Sequence, residues 1–166
     1  MRYMTEPVTI TYLEMTSPDQ LAGKYLPADE LEVRRVEEPL PPLNRFFYEH
    51  VGGPWGWKRK LVWTDKQWAD YVCRDEMRTY VGYHKGTPIG YFELNKQGYD
   101  VEILYFGLLP QFIGRGFGGP LLTRAVETAW ARAAQRVWVH TCSQDHPAAL
   151  SNYQARGFQV FDQQHL

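Results

Sequence analysis

The sequence predicts an α/β domain, a mixed central sheet flanked by helices, on three observations. A continuous apolar run from Val101 to Leu109 leads into Pro110 to Gly119, which holds four glycines, and an apolar stripe of helical period follows at Leu121, Leu122, Ala125 and Ala129. Arg136 to Cys142 then reads as another strand, so strand, crossover helix and strand make a βαβ unit with parallel strands. Upstream, Arg78 to Tyr83 and Ile89 to Leu94 flank the turn signal Lys85-Gly86-Thr87-Pro88 and predict a hairpin, hence antiparallel neighbours.

Taken in order, Val8 to Leu13 is rich in β-branched and aromatic residues and predicts a first strand, ended by Thr16-Ser17-Pro18-Asp19. Asp29 to Pro42 is charged and proline-bounded, and Leu31, Val33 and Val36 are too weakly patterned for more than an extended or irregular segment. Asn44 is placed to cap a short helix, Arg45 to Val51, which Gly52-Gly53-Pro54 stops. Thr64-Asp65-Lys66-Gln67 is a capping box, in which the threonine and glutamine side chains satisfy each other's end of the first turn, and it opens a second helix to about Cys73. After the hairpin, Gly98 turns the chain into Val101 to Leu109, a fourth strand whose unbroken apolar character implies burial on both faces. In the fifth strand, Val137, Val139 and Thr141 share one face and Trp138, His140 and Cys142 the other. Ser143 or Asp145 is expected to cap a last helix, with Pro147 in its first turn and Gly157 at its end, before a short strand from Phe158 to Phe161.

A chain of 166 residues fits one domain and can bury roughly 70% of its unfolded surface. With 18 basic and 19 acidic residues the charge is balanced, which argues against nucleic acid and membrane surfaces as partners. Cys73 and Cys142 lack metal-ligand spacing, no metal site is expected, and the N-terminus carries no apolar signal segment, so the expected compartment is the reducing cytoplasm. No apolar run approaches the roughly 18 residues that span a bilayer. Aromatic residues are abundant at 15%, and Trp55, Trp57, Trp63 and Trp68 fall close together, either as core or as the wall of an apolar pocket.

The glycine segment suits a phosphate or pyrophosphate, because glycine lets backbone N–H groups approach a ligand and the helix that follows adds its positive end. Gly114, Gly116 and Gly119 satisfy the dinucleotide fingerprint G-x-G-x-x-G, yet only 47 residues follow, too few for the rest of a doubly wound sheet. No Lys-Ser or Lys-Thr pair follows either, which excludes a P-loop.

Pro110 to Gly118 resembles the P-x-x-R-G-x-G-x-G loop of the GNAT superfamily of acyl-CoA-dependent N-acyltransferases, with Ile113 at the family's basic position. Glu102-Ile103-Leu104-Tyr105-Phe106-Gly107-Leu108 is similar to the family's fourth strand in members with a catalytic glutamate there. Asp145-x-x-Ala148 through Tyr153-Gln154-Ala155-Arg156-Gly157-Phe158 looks like its N-x-x-A…Y-x-x-x-G-F helix, with Asp for Asn. The resemblance implies a single GNAT-like domain over residues 1–166, with splayed fourth and fifth strands, an acceptor side over about residues 1–78 and an acetyl-CoA side over about residues 79–166. It further implies that acetyl-CoA is held by Gly114, Arg115, Gly116, Phe117, Gly118 and Gly119, with Asp145 near the pantetheine and a backbone N–H near Leu108 or Leu109 on the thioester carbonyl.

An alkyl amine must lose a proton before attacking a thioester, and the departing thiolate gains one, so a base and an acid are needed on opposite sides. Glu102 is the candidate base, directly or through a water, and Tyr153 the candidate acid. Each has a plainer role open to it, Glu102 as a strand-end carboxylate paired with a basic side chain and Tyr153 as a packed helix aromatic. His140 reads as a core or pocket-lining histidine before a base. For the acceptor, Trp55 and Trp57 with Glu49 offer aromatic faces and a carboxylate to a small cationic or aromatic amine, on a segment whose Gly52-Gly53-Pro54 lets it act as a lid. The expected reaction is acetyl transfer to a primary amine by direct attack in a ternary complex, with a homodimer compatible. Two alternatives are a non-catalytic CoA-binding domain of the same fold and a nucleotide-binding α/β domain.

Overall fold

In the computed structural model, residues 7–166 are described. Among them the chain forms seven strands, β1 (Thr9–Met15), β2 (Glu32–Arg35), β3 (Met77–His84), β4 (Thr87–Gln97), β5 (Asp100–Leu108), β6 (Arg136–Cys142) and β7 (Gln159–His165). Four α-helices join them, α1 (Pro41–Gly52), α2 (Asp65–Val72), α3 (Gly118–Trp130) and α4 (Ala149–Ala155). The strands make one mixed sheet in the order β2-β3-β4-β5-β6-β1-β7, with β5 and β6 parallel and the other neighbours antiparallel. None of the described helices is long and apolar enough to cross a membrane.

The feature that positions the site is the short reach of the parallel pair. β5 and β6 are in register only from Asp100 and Arg136 to Ile103 and Val139, and beyond that point they part. On its other edge β5 stays paired with β4, but the register jumps from Leu94–Ile103 to Glu93–Tyr105, so Leu104 is the extra residue of a bulge. The bulge divides the strand's side chains. Val101, Ile103, Phe106 and Leu108 join the core beneath α3, while Leu104 and Tyr105 pack on the side of α1 and α2.

On the first side α3 lays Leu121, Leu122, Ala125, Val126 and Ala129 on Leu13, Leu94, Ile103 and Val139, all but fully buried. Burying each such leucine or valine contributes about 1.5–3 kcal/mol. The other side is aromatic: Phe47 stacks on Tyr91 at 4.8 Å, and Tyr48 meets Trp68 and Tyr105 edge to face.

Several boundaries differ from the sequence reading. Helix α1 begins at Pro41, because Pro41 and Pro42 fill first-turn positions whose N–H groups have no partner in any helix. Asn44 is therefore inside the helix, buried, and donates from Nδ2 to Thr79 Oγ1 at 2.8 Å instead of capping. Within the irregular segment, Glu32–Arg35 pairs with β3 as an edge strand. Helix α4 starts at Ala149 without a side-chain cap. Ser143 Oγ accepts from the Thr9 amide, and Asp145 Oδ2 from Thr141 Oγ1 and the Cys142 amide, so neither caps α4 and Pro147 precedes it. The capping box of Thr64 and Gln67 at α2 forms as read.

Candidate active site

Where β5 and β6 part, a cavity of about 660 Å³ opens between the two sides of the molecule. Tyr105, Phe106 and Leu108 line it from β5, and Val139, His140 and Cys142 from β6. The glycine loop closes one end with Gly114, Gly118 and Gly119, and Trp55 and Trp57 cover another side.

Beyond Ile103 the β6-side edge of β5 has no ladder partner, and it presents the amides and carbonyls of alternate residues. Leu109 spends its amide on the Ile89 carbonyl at 2.8 Å, which corrects one of the two expected carbonyl donors. Antiparallel alternation then turns the Leu108 and Phe106 amides away from β4, toward the space that β6 has left.

Gly114 and Gly116 hold φ of +78° and +87°, a region that side chains with a Cβ rarely adopt. A Cβ at Gly119 would stand 2.7 Å from Arg156 Nη1 and 2.9 Å from Lys24 Cδ, so two cationic side chains flank the start of α3. Arg156 Nε and Nη1 are buried without a partner among the described residues, which suits an anion at this spot. Arg115 does not line the cavity: it is exposed, with its guanidinium 5.0 Å and 5.7 Å from the ring centres of Phe112 and Phe117. Gly116 also lies outside the lining, and the Phe117 ring is buried against Leu31 and Ile89.

Tyr153 is 6% exposed, lines the cavity and packs edge to face on Phe106 and Phe158. Burial, reinforced by the Asp145 carboxylate, pushes its hydroxyl well above the usual tyrosine value, so it keeps its proton at neutral pH. Glu102 is also 6% exposed but stands behind the wall, with Oε1 3.6 Å from His140 Nδ1 and Oε2 accepting from Gln97 Nε2 at 3.3 Å. His140 is the group that faces the cavity.

Asp145 lines the cavity and accepts from Trp57 Nε1 at 3.1 Å. Trp55 meets His146 edge to face at 4.8 Å. Glu49 does not join them, because it is turned to Arg45 in an i,i+4 ion pair at 2.9 Å and lies outside the lining. A different carboxylate is buried on the side of α1 and α2: Glu93, also outside the lining, is 2% exposed and bonded to Tyr71 Oη at 3.1 Å, with Lys60 as the nearby cation. Sequence reading missed Glu93, Lys60 and Arg156. The signal for Glu93 was present, since a lone charge shares the buried strand face of Tyr91.

The sequence model of the acetyltransferase (GNAT) family matches residues 41–158. A search of curated proteins finds no match. Among solved structures, the chain is similar to the IAA acetyltransferase from Bacillus cereus ATCC 14579, 24% identical with a TM-score of 0.59 over 80% of this chain and 79% of that one. It is also similar to an aminoglycoside acetyltransferase from an uncultured soil metagenomic sample, 15% identical with a TM-score of 0.63 over 78% and 90%. A GCN5-related N-acetyltransferase from Kribbella flavida is 14% identical with a TM-score of 0.64 over 92% of this chain, which spans only 54% of that protein's length. At these identities the likenesses carry the fold alone, and the sequence match carries the family: the chain belongs to the acetyltransferase (GNAT) family.

Proposed function

We propose that the protein transfers an acetyl group from acetyl-CoA to a primary amine of a small molecule, by direct attack within a ternary complex. The observation that carries this reading is the parted strand pair, which opens a cavity lined by Phe106, Leu108, His140 and Tyr153, with Glu102 behind His140. Acetyl-CoA fits the residues present: the α3 N-terminus and the unpartnered Arg156 guanidinium suit its pyrophosphate, in place of the basic side chain that Ile113 lacks.

In this reading the Leu108 or Phe106 amide polarises the thioester carbonyl. Glu102 takes the ammonium proton through His140, the side chain that separates it from the cavity. The amine lone pair then attacks the thioester carbon, a C–N bond forms and the C–S bond breaks; the thiolate receives the Tyr153 proton, and the second proton leaving the nitrogen passes through solvent to restore the Tyr153 hydroxyl. Trp55 and Trp57 cover the acceptor. The reading takes the reducing cytoplasm as compartment, with Cys73 and Cys142 as free thiols.

Binding tests the donor half of the proposal. At about 100 times its dissociation constant, a ligand specific for the folded state adds roughly 2.7 kcal/mol, a rise of several degrees in Tm at about 2–4 °C per kcal/mol. Acetyl-CoA should give this rise and NAD should not. Gly116→Val should weaken it, because a β-branched residue does not hold a φ of +87° and the loop amides would turn. A shift with NAD and none with acetyl-CoA would overturn the donor assignment.

A further inference from the structure

Behind Tyr105 lies a second polar site that the transfer chemistry does not use. Lys60, on the segment between Trp55 and α2, places Nζ 4.6 Å from the ring centre of Trp63 and 4.7 Å from those of Tyr71 and Tyr105. The same ammonium donates to Tyr105 Oη at 2.9 Å. Glu93, bonded to the Tyr71 hydroxyl, attracts this ammonium without pairing with it directly. Three aromatic faces and a carboxylate around one ammonium form a cage for organic cations, since the ring faces are negative and the surroundings are partly dry.

The occupant is costly to keep there. Burial lowers the Lys60 pKa and raises that of Glu93 to about 7, in each case against the attraction of the other. Its segment is short of regular structure: residues 59–62 are turns in which Leu61 and Val62 are 40% and 85% exposed. Two further groups on the Glu93 face of β4, Tyr91 Oη and Asn95 Oδ1, are buried without partners among the described residues. Tyr105 connects the two sites, because its ring forms one wall of the cage and also lines the large cavity, which Lys60, Trp63 and Tyr71 do not reach.

We propose that the cage of Trp63, Tyr71 and Tyr105 over Glu93 is a cation subsite of the acceptor pocket, occupied at rest by Lys60 and taken over by a positively charged nitrogen of the acceptor. One carboxylate and three rings hold one cation, so the acceptor's charge replaces that of Lys60. The cation in the cage stays charged, whereas the reacting nitrogen must lose its proton. The acceptor is therefore a small amine with a second cationic centre, such as a diamine or an amine bearing an alkylammonium group. The identity of the occupant rests on the acetyl-transfer reading; the cage as a cation site does not.

The binding tests use tetramethylammonium and 1,4-diaminobutane without acetyl-CoA, which is added only for turnover. In the unmodified protein, tetramethylammonium should release Lys60 and raise its rate of reductive methylation several-fold, read by peptide mass spectrometry. By calorimetry, Lys60→Ala, or Lys60→Met if the alanine variant does not fold, should bind either cation at least tenfold more tightly than the parent. Adding Glu93→Gln should remove that gain. Unchanged Lys60 labelling together with unchanged affinity in a folded variant would overturn the proposal and make the cage a structural seat for Lys60. In turnover, 1,4-diaminobutane should show a KM at least tenfold below that of butylamine, and equal values would overturn the acceptor assignment. Cation binding without acetylation of any amine would remove the transferase reading while leaving the cage in place.

Discussion

Trp57 Nε1 donates to Asp145 Oδ1 at 3.1 Å, and this bond ties the segment after α1 to the turn after β6, across the cavity mouth. Trp57 is seated for it: its indole lies against Gly52, at the place where a Cβ would be, and within 5.7 Å and 5.0 Å of the Tyr48 and Tyr105 ring centres. Asp145 is held in turn by Thr141 Oγ1 and the Cys142 amide.

Trp57→Phe keeps an aromatic ring and removes the donor. A hydrogen bond to a charged group contributes about 1.5–3 kcal/mol, and less at a partly exposed site. The acceptor KM should rise about three- to tenfold with the dissociation constant for acetyl-CoA little changed, measured by initial rates and calorimetry. Trp57→Ala should also lower Tm, since it empties the space between Gly52, Tyr48 and Tyr105. Equal losses of acceptor and acetyl-CoA affinity in the phenylalanine variant would return Trp57 to the core.

Tyr153→Phe preserves the packing on Phe106 and Phe158 and deletes the proton donor. General acid catalysis contributes about 10²–10⁴-fold, so turnover should fall at least tenfold at unchanged acetyl-CoA affinity. Unaltered turnover would leave Tyr153 a packing residue.

Glu93 links the aromatic side to pH. Burial raises its carboxyl from an ordinary 4.5 to about 7, so between those values the folded chain binds a proton that the unfolded chain has released. Stability contributed by this group is present below the lower value and is lost as pH rises through the window, by on the order of 3 kcal/mol. Glu93→Gln should therefore show a flatter dependence of Tm on pH between about 5 and 7 than the parent protein. Parallel curves would mean that Lys60 holds Glu93 ionised throughout.

What the sequence made legible was local. The glycine loop, the Thr64 capping box and the strand from Arg136 to Cys142 each depend on residues a few positions apart, and each is found in place. The position of β1 between β6 and β7 was not legible, because backbone ladders set it and the β7 side chains are all exposed. That the Leu109 amide is spent on the Ile89 carbonyl depends on register, which no spacing encodes. The Lys60 cage draws one ring from a loop, one from α2 and one from β5, so it exists only after folding. Asn44 was misread for a related reason: its cap-like chemistry is used on Thr79, far away in sequence.

The claim that the parted strands house acetyl transfer is tested most directly by thiol release from acetyl-CoA, followed with and without amines and confirmed by the mass of the product. The account predicts release that depends on the amine, saturates with small cationic amines, and drops at neutral pH in Glu102→Gln while recovering in alkaline buffer as the amine loses its own proton. Binding of acetyl-CoA with no amine-dependent release from any primary amine would contradict it, and would make the cavity a site for binding alone.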